Sequence, residues 1–285
     1  MKSAAVPPKE REFTPPLGKS WLTPFYDRAI AVFTRERRWR RAIVEKAALL
    51  PGDKVIDVGC GTGTLLRALM ANCPEAGFIG VEPDPAALAI AQRKFGAGAD
   101  MVRWHNGFLD SLELSDGWRP NKIVSSLVLH QVPVSQKRAI LDQIENLLAP
   151  GGMALIADYM RQDAPLMRAL FRSSVQLLDG VKDTQPSADG AVEKLLAEIF
   201  ADAELLDRIH TATGTISLWA ASRKAMLNEP HERFETATPF AGGLAPPRPC
   251  SLLECSPGRD LHYVPRRRMR LLSQLGRSRR TGTRS

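Results

Sequence analysis

Val55-Ile56-Asp57-Val58-Gly59-Cys60-Gly61-Thr62-Gly63-Thr64 is a short apolar run that breaks into three closely spaced glycines, and its reading decides the fold of this 285-residue chain. The run is too short for a helix and rich in β-branched residues, which predicts a buried parallel strand ending at Gly59. Gly59, Gly61 and Gly63 lack Cβ atoms, so the backbone N–H groups of the loop can approach a ligand closely before a helix starts near Thr64. About twenty residues further on, Phe78-Ile79-Gly80-Val81 ends in Glu82, a carboxylate at the tip of the next strand, where it can accept hydrogen bonds from ribose hydroxyls.

Outward from this loop the same alternation continues. Leu65, Leu66, Leu69 and Met70 give an amphipathic helix, and Pro83 and Pro85 open another that runs through Leu88, Ala91 and Phe95. Strands are predicted at Met101 to Trp104, Lys122 to Leu129 and Met153 to Ala157. A helix carries Ile140, Leu141, Ile144, Leu147 and Leu148, and Pro150-Gly151-Gly152 turns it back. Leu205 to His210 and Thr215 to Ser222 read as a closing antiparallel hairpin around Gly214. The expected fold is α/β: a doubly wound, mostly parallel, seven-stranded sheet whose final hairpin is antiparallel.

Before the loop, residues 1–20 carry Pro7, Pro8, Pro15 and Pro16 among charges and read as a flexible lead-in. Residues 21–50 read as a helical cap. Phe25, Ala29, Val32 and Phe33 recur at helical spacing, and a second helix is expected from Arg37 to Leu50. Tyr26 and Trp39 are expected to pack these helices on the sheet. Arg35, Arg37, Arg38, Arg40 and Arg41 read as a solvated helix face, with anionic lipid headgroups or an acidic substrate as the alternative partners.

In this order, VIDVGCGTG, GVEPD, SSLVLHQVP and LLAPGGMALIADY resemble the motif set of class I S-adenosylmethionine-dependent methyltransferases, over Trp21 to Lys224. The Phe25-Tyr26-Asp27 and Trp39-Arg40-Arg41 elements resemble the segment before the core in ubiquinone and menaquinone biosynthesis methyltransferases. The resemblance implies S-adenosyl-L-methionine as cofactor, with Asp57, Gly59 and Gly61 at its methionine end and Glu82 at its ribose. It puts Phe108 and Leu109 at the adenine, with Ser125 and Ser126 nearby. Family members commonly carry Gly-Asp where this chain has Gly107-Phe108. Either Phe108 packs on the adenine face while its backbone supplies the polar contact, or Asp110 substitutes.

Strand tips at the carboxyl edge of an open α/β sheet face the ligand. His130, after the fourth strand, is therefore a candidate general base, against the alternative of a structural residue shaping its loop. Tyr159, after the fifth, lines the substrate pocket or packs. Pro165 opens a helix with Met167, Leu170, Phe171, Val175 and Leu178 along one side, and Met167 and Phe171 are the residues expected to form an apolar substrate wall. No metal-ligand cluster stands out.

Net charge is +8, and it is uneven: residues 1–50 and 226–285 each carry +6, residues 51–225 carry −4. A mildly acidic core with basic ends argues against a nucleic-acid groove built into the fold. Residues 226–285, Pro-rich and Arg-rich, read as a disordered tail beyond a cofactor-binding domain at 51–225. Peripheral membrane contact is assigned to the basic ends. No stretch has the roughly 18 apolar residues of a membrane span and no signal-peptide core is visible, so a cytoplasmic protein is expected. Cys60, Cys73, Cys250 and Cys255 form no disulfide framework and are expected to be reduced.

Two other classes share the strand, loop and acid. An NAD(P)-dependent oxidoreductase predicts G-x-G-x-x-G and a Tyr-Lys pair, whereas this chain has G-x-G-x-G and no such pair. A non-catalytic S-adenosylmethionine-binding protein is kept open by Phe108. The segment Ser126-Leu127-Val128-Leu129 stands where many nucleic-acid amino-methyltransferases carry Asn/Asp-Pro-Pro-Tyr/Phe, which favours a small-molecule acceptor, lipophilic, quinone-like or aromatic. The sequence carries no signal for the oligomeric state.

Overall fold

The computed structural model describes residues 34–223. The lead-in, the helix over Phe25 to Phe33 with Tyr26, Cys250, Cys255 and the basic tail lie outside the described residues. Helix α1 (Glu36–Ala47) is followed by β1 (Lys54–Val58), α2 (Thr64–Asn72), β2 (Gly77–Glu82), α3 (Pro85–Phe95), β3 (Val102–Asn106) and β4 (Lys122–Ser126). Then come α4 (Val134–Leu147), β5 (Met153–Tyr159) and four shorter helices: α5 (Pro165–Ser173), α6 (Val175–Asp179), α7 (Val181–Ala188) and α8 (Ala191–Ile199). Strands β6 (Asp202–Thr211) and β7 (Gly214–Ser222) close the element order.

The seven strands form one sheet in the order β3-β2-β1-β4-β5-β7-β6. Strands β1 to β5 are mutually parallel, and β7 runs antiparallel between β5 and β6. The expected fold class is therefore what the chain adopts. The order reverses between β1 and β4, which makes the carboxyl ends of those two strands the switch point where α/β sheets bind ligands.

Both faces are covered, so the parallel strands read as nearly continuous apolar runs. On one face Trp39, Ile43, Leu66, Leu69, Phe171 and Leu218 share a cluster; on the other Ile56, Ile79, Ile123, Leu141, Ile144 and Leu196 do. Alternation along β1 puts Ile56 and Val58 on the second face and Val55 and Asp57 on the first, under α1.

Two of the differences from the sequence reading bear on the site and the helices beside it. Strand β4 stops at Ser126 rather than Leu129, because Leu127 takes a left-handed conformation (φ 57°) and a 3₁₀ turn follows at Leu129–Gln131. A single helix through Met167 to Leu178 is instead two, broken at Ser174 (φ −124°, ψ −77°).

Candidate active site

The glycine loop is built as expected. Gly59, Gly61 and Gly63 all have positive φ (69°, 53° and 74°), which L side chains rarely adopt. At Gly59 the reason is also steric: a Cβ there would lie 2.3 Å from Cγ2 of Val128. Glu82, at the tip of β2, accepts from the Gly61 N–H through Oε2 (2.8 Å) and from the Asp84 N–H through Oε1 (2.9 Å). Burial raises its pKa, while those two donors oppose the rise. Each oxygen keeps a second lone pair. Asp84 caps α3 by accepting from Ala86 N–H, with Pro85 at the first helical position. Lys94 at the far end of α3 donates to Thr62 and Thr64 and ties the loop down.

Asp57 sits under this loop with no exposed surface, and both carboxylate oxygens lack a hydrogen-bond partner. Burial lifts its pKa to about 7, with the charge of Arg40 opposing and that of Glu82 adding to the rise. Arg40 reaches this position from α1: its guanidinium lies 5.0 Å from the Trp39 ring centroid and pairs with Glu36. Arg40 thus departs from the solvated face predicted for the arginine cluster. Arg35, Arg37, Arg38 and Arg41 are exposed, but the helix rotation turns Arg40 inward.

Above the loop opens a cleft of about 360 Å³. Of the residues predicted to hold a cofactor, Gly59, Gly61, Glu82, Phe108, Leu109 and Ser126 line it, and Asp57, fully buried beneath the loop, does not. Phe108 is the most exposed of the cleft's aromatics, and Asp110 does not line the cleft. Ser125 is corrected: its hydroxyl donates to the Val58 carbonyl (3.1 Å), inside the sheet and away from the cleft. Residues the sequence reading passed over complete the walls: Trp39 and Arg40 from α1, Gln136 and Gln143 from α4, Gln131 and Asp183. Trp39 and Arg40 lie in the Trp39-Arg40-Arg41 element and Gln131 in SSLVLHQVP, while Gln136, Gln143 and Asp183 fall in no motif and are brought in by helix packing.

The wall beside the loop is a hook, residues 127–133, held from two sides. Asp158 at the tip of β5 accepts from the N–H groups of Val128 (2.9 Å) and Leu129 (2.6 Å) through Oδ2. Its Oδ1 accepts from Tyr159 N–H (2.7 Å) and from His130 Nδ1 (2.6 Å). The other ring nitrogen of His130 lies 3.4 Å from Asp179 Oδ2 on α6. Burial works against charge on His130, but the two carboxylates outweigh it and raise the pKa to about 9. Fully buried Lys137 donates to the carbonyls of His130 (3.4 Å), Val132 and Asp183 (2.9 Å). Burial lowers its pKa to about 8.

These bonds correct the expectation of direct catalysis by His130 and Tyr159. Neither lines the cleft, and both His130 nitrogens are engaged. The Tyr159 hydroxyl bonds Thr213 Oγ1 (2.5 Å), and burial pushes its pKa up to about 12. Met167 and Phe171 are likewise absent from the walls; Phe171 is fully buried against Tyr159. Among the described residues no group of three or more His, Cys, Asp or Glu could hold a metal ion.

Residues 55–152 match the family profile described as a methyltransferase domain. This part of the chain is a methyltransferase domain. Among curated proteins, the chain that carries this domain is 26% identical over 153 residues to a ubiquinone/menaquinone biosynthesis C-methyltransferase of Syntrophotalea carbinolica, covering 53% of this chain and 63% of that protein. It is 30% identical over 152 residues to a 2-phytyl-1,4-naphtoquinone methyltransferase of Synechococcus elongatus, covering 52% and 64%. The match thus spans less than two thirds of either relative. Human N-acetylserotonin methyltransferase in complex with S-adenosylmethionine shares the fold, with a TM-score of 0.54 at 17% identity over 77% of this chain and 61% of that one. The glycine loop and the Glu82 carboxylate, whose two oxygens can each accept from a ribose hydroxyl, fit the S-adenosylmethionine that such neighbours hold, and Asp57 places a buried, unpartnered carboxylate beneath the loop.

Proposed function

We propose that this chain transfers a methyl group from S-adenosylmethionine to a small-molecule acceptor. The observation that carries the proposal is the Glu82 carboxylate bonded to the Gly61 N–H, which fixes the acid and the glycine loop as one rigid cradle at the sheet's switch point. The cofactor, when bound, supplies a methyl group already activated on a sulfonium. What remains for the protein is placement and exclusion of water. Glu82 would hold the ribose hydroxyls, Asp57 the ammonium, Arg40 the carboxylate of the methionine end, and Phe108 the adenine face. The hook sets the adjoining wall, and Asp158, His130 and Lys137 keep it in place without touching the reacting atoms.

The acceptor we propose is lipophilic and quinone-like. The relatives named above supply the quinone class, and the apolar lining by Trp39, Leu127, Val128, Val132 and Pro133 supports it. A cytoplasmic setting is proposed with it, supported by Cys60 and Cys73, which are buried and not joined in a disulfide.

Calorimetric titration of S-adenosylmethionine and S-adenosylhomocysteine, with NADH as control, tests the cofactor. The expected result is saturable binding of both adenosyl ligands, weakened in Glu82→Gln and lost in Glu82→Ala. Binding of NADH in their place would transfer the site to an oxidoreductase.

A further inference from the structure

Four large aliphatic side chains stand out in solvent on the short helices that follow β5. Leu166 is 66% exposed, Leu177 77%, Leu178 57% and Val181 57%. Arg172 and Lys182, also exposed, flank them. The span 164–182 contains one acid, Asp179, and its side chain is only 10% exposed because it turns inward onto His130. At the two ends of the span, Asp163 is paired with Arg161 and Arg208, and Asp189 with Arg168. The outer face of α5 to α7 is thus apolar and cationic: Asp179 turns inward, Asp183 lines the cleft, and the exposed acids nearby, Asp163 and Asp189, are already paired with arginines.

We propose that this face docks the protein on an anionic lipid bilayer. Leucines exposed at helix turns beside cations suit the interface, where the aliphatic groups enter the acyl boundary and the cations meet headgroup phosphates. Charge argues against a second copy of the chain as the occupant. A two-fold interface through this patch would gather Arg172 and Lys182 of both copies into one seam, where the nearest exposed acids, Asp163 and Asp189, are already paired with arginines of their own chain. The absence of exposed aromatic side chains on the span argues against single-stranded nucleic acid, which stacks on them.

The docking face also reaches the cleft. Val181 and Lys182 are in solvent, while the next residue, Asp183, lines the cleft and lends its carbonyl to Lys137. A lipophilic acceptor could pass from bilayer to cleft along α7, a consequence that rests on the methyl-transfer reading; the docking itself does not.

The test is co-sedimentation of the full chain with vesicles of equal parts phosphatidylglycerol and phosphatidylcholine, and with phosphatidylcholine alone. The chain should bind the anionic vesicles, and hydrogen exchange of residues 166–182 should slow when it does. The triple variant Leu177→Gln, Leu178→Gln, Val181→Gln should weaken partitioning on the order of tenfold or more, and Arg172→Gln with Lys182→Gln about fivefold for each charge. The proposal is overturned by no binding of the parent, or by equal binding of the triple variant, which would assign the attraction to the basic ends. A dimeric parent that the triple variant turns into a monomer, with vesicle binding unchanged, overturns it in favour of a second copy. S-adenosylhomocysteine titration of each variant serves as the folding control, and the charge variant replaces the apolar one should the latter misfold. If that ligand binds neither parent nor variant, the methyl-transfer reading fails while the docking result stands.

Discussion

His130 Nδ1 lies 2.6 Å from Asp158 Oδ1, and this pair joins the tips of two neighbouring parallel strands. The same carboxylate takes the N–H groups of Val128 and Leu129, so one buried anion fixes both the turn and the ring that leaves it. With Asp179 on the far nitrogen, the imidazole is a charged link between the cofactor wall and the helices beyond β5.

That link has a pH signature. The pKa of His130 is raised in the folded protein, to about 9 against an ordinary 6.5, so its contribution is full below 6.5 and is lost as pH rises through 9. The groups facing it are Asp158, Asp179, Tyr159 and Lys137. Chemical denaturation at pH 6.5 and pH 9.5 should show His130→Gln destabilised by roughly 2–4 kcal/mol at the lower value and much less at the higher. An equal penalty at both would show that the ring is not charged.

Lys137 should be costlier to neutralise than a surface lysine. Its ammonium satisfies three carbonyls, two in the hook and one on α7. Lys137→Met should cost roughly 2–4 kcal/mol in urea denaturation and speed hydrogen exchange in residues 127–133. A change under about 0.5 kcal/mol, the range of ordinary surface substitutions, would refute the clamp.

Gly59→Ala should weaken S-adenosylhomocysteine binding severely, for two separable reasons. The left-handed backbone costs a side chain about 1–2 kcal/mol. Contact with Val128 adds about 1–3 kcal/mol of overpacking. Adding Val128→Ala should recover the second part only, so partial rescue is the expected calorimetric result, and no rescue would count against the contact.

Asp57 should make cofactor binding pH-dependent. With its pKa near 7, only about one tenth of it is ionised at pH 6, so affinity for S-adenosylmethionine should fall roughly tenfold from pH 8 to pH 6. Asp57→Asn should bind weakly with a flat profile over that range. A wild-type profile that is also flat would remove Asp57 from the ammonium site.

The fold was legible because its signals are local: a β-branched run, glycines at every second position and an acid at the next strand tip. Glu82 and the loop could be paired from their spacing alone. Arg40 could not be told from Arg38 or Arg41, since a helix sequence does not state which way the helix is rolled on the sheet. His130 had no visible partner for a different reason. Asp158 and Asp179 lie 28 and 49 positions away, and only strand pairing and the packing of α6 bring them to its two nitrogens. The end of β4 was misjudged because Leu127 and Val128 look like strand residues, while the carboxylate that bends them belongs to β5.

The placing of β7 between β5 and β6 bears on how the chain matures during synthesis. Until Gly214–Ser222 has left the ribosome, β5 has an unpaired edge and β6 has no partner in the sheet. The nascent chain therefore carries an open strand edge through the translation of about sixty residues after β5, a hazard for pairing with other chains. Ribosomes stalled short of Ser222 should hold a protease-sensitive intermediate, and the sheet should become resistant only once the last strand has slid into its gap.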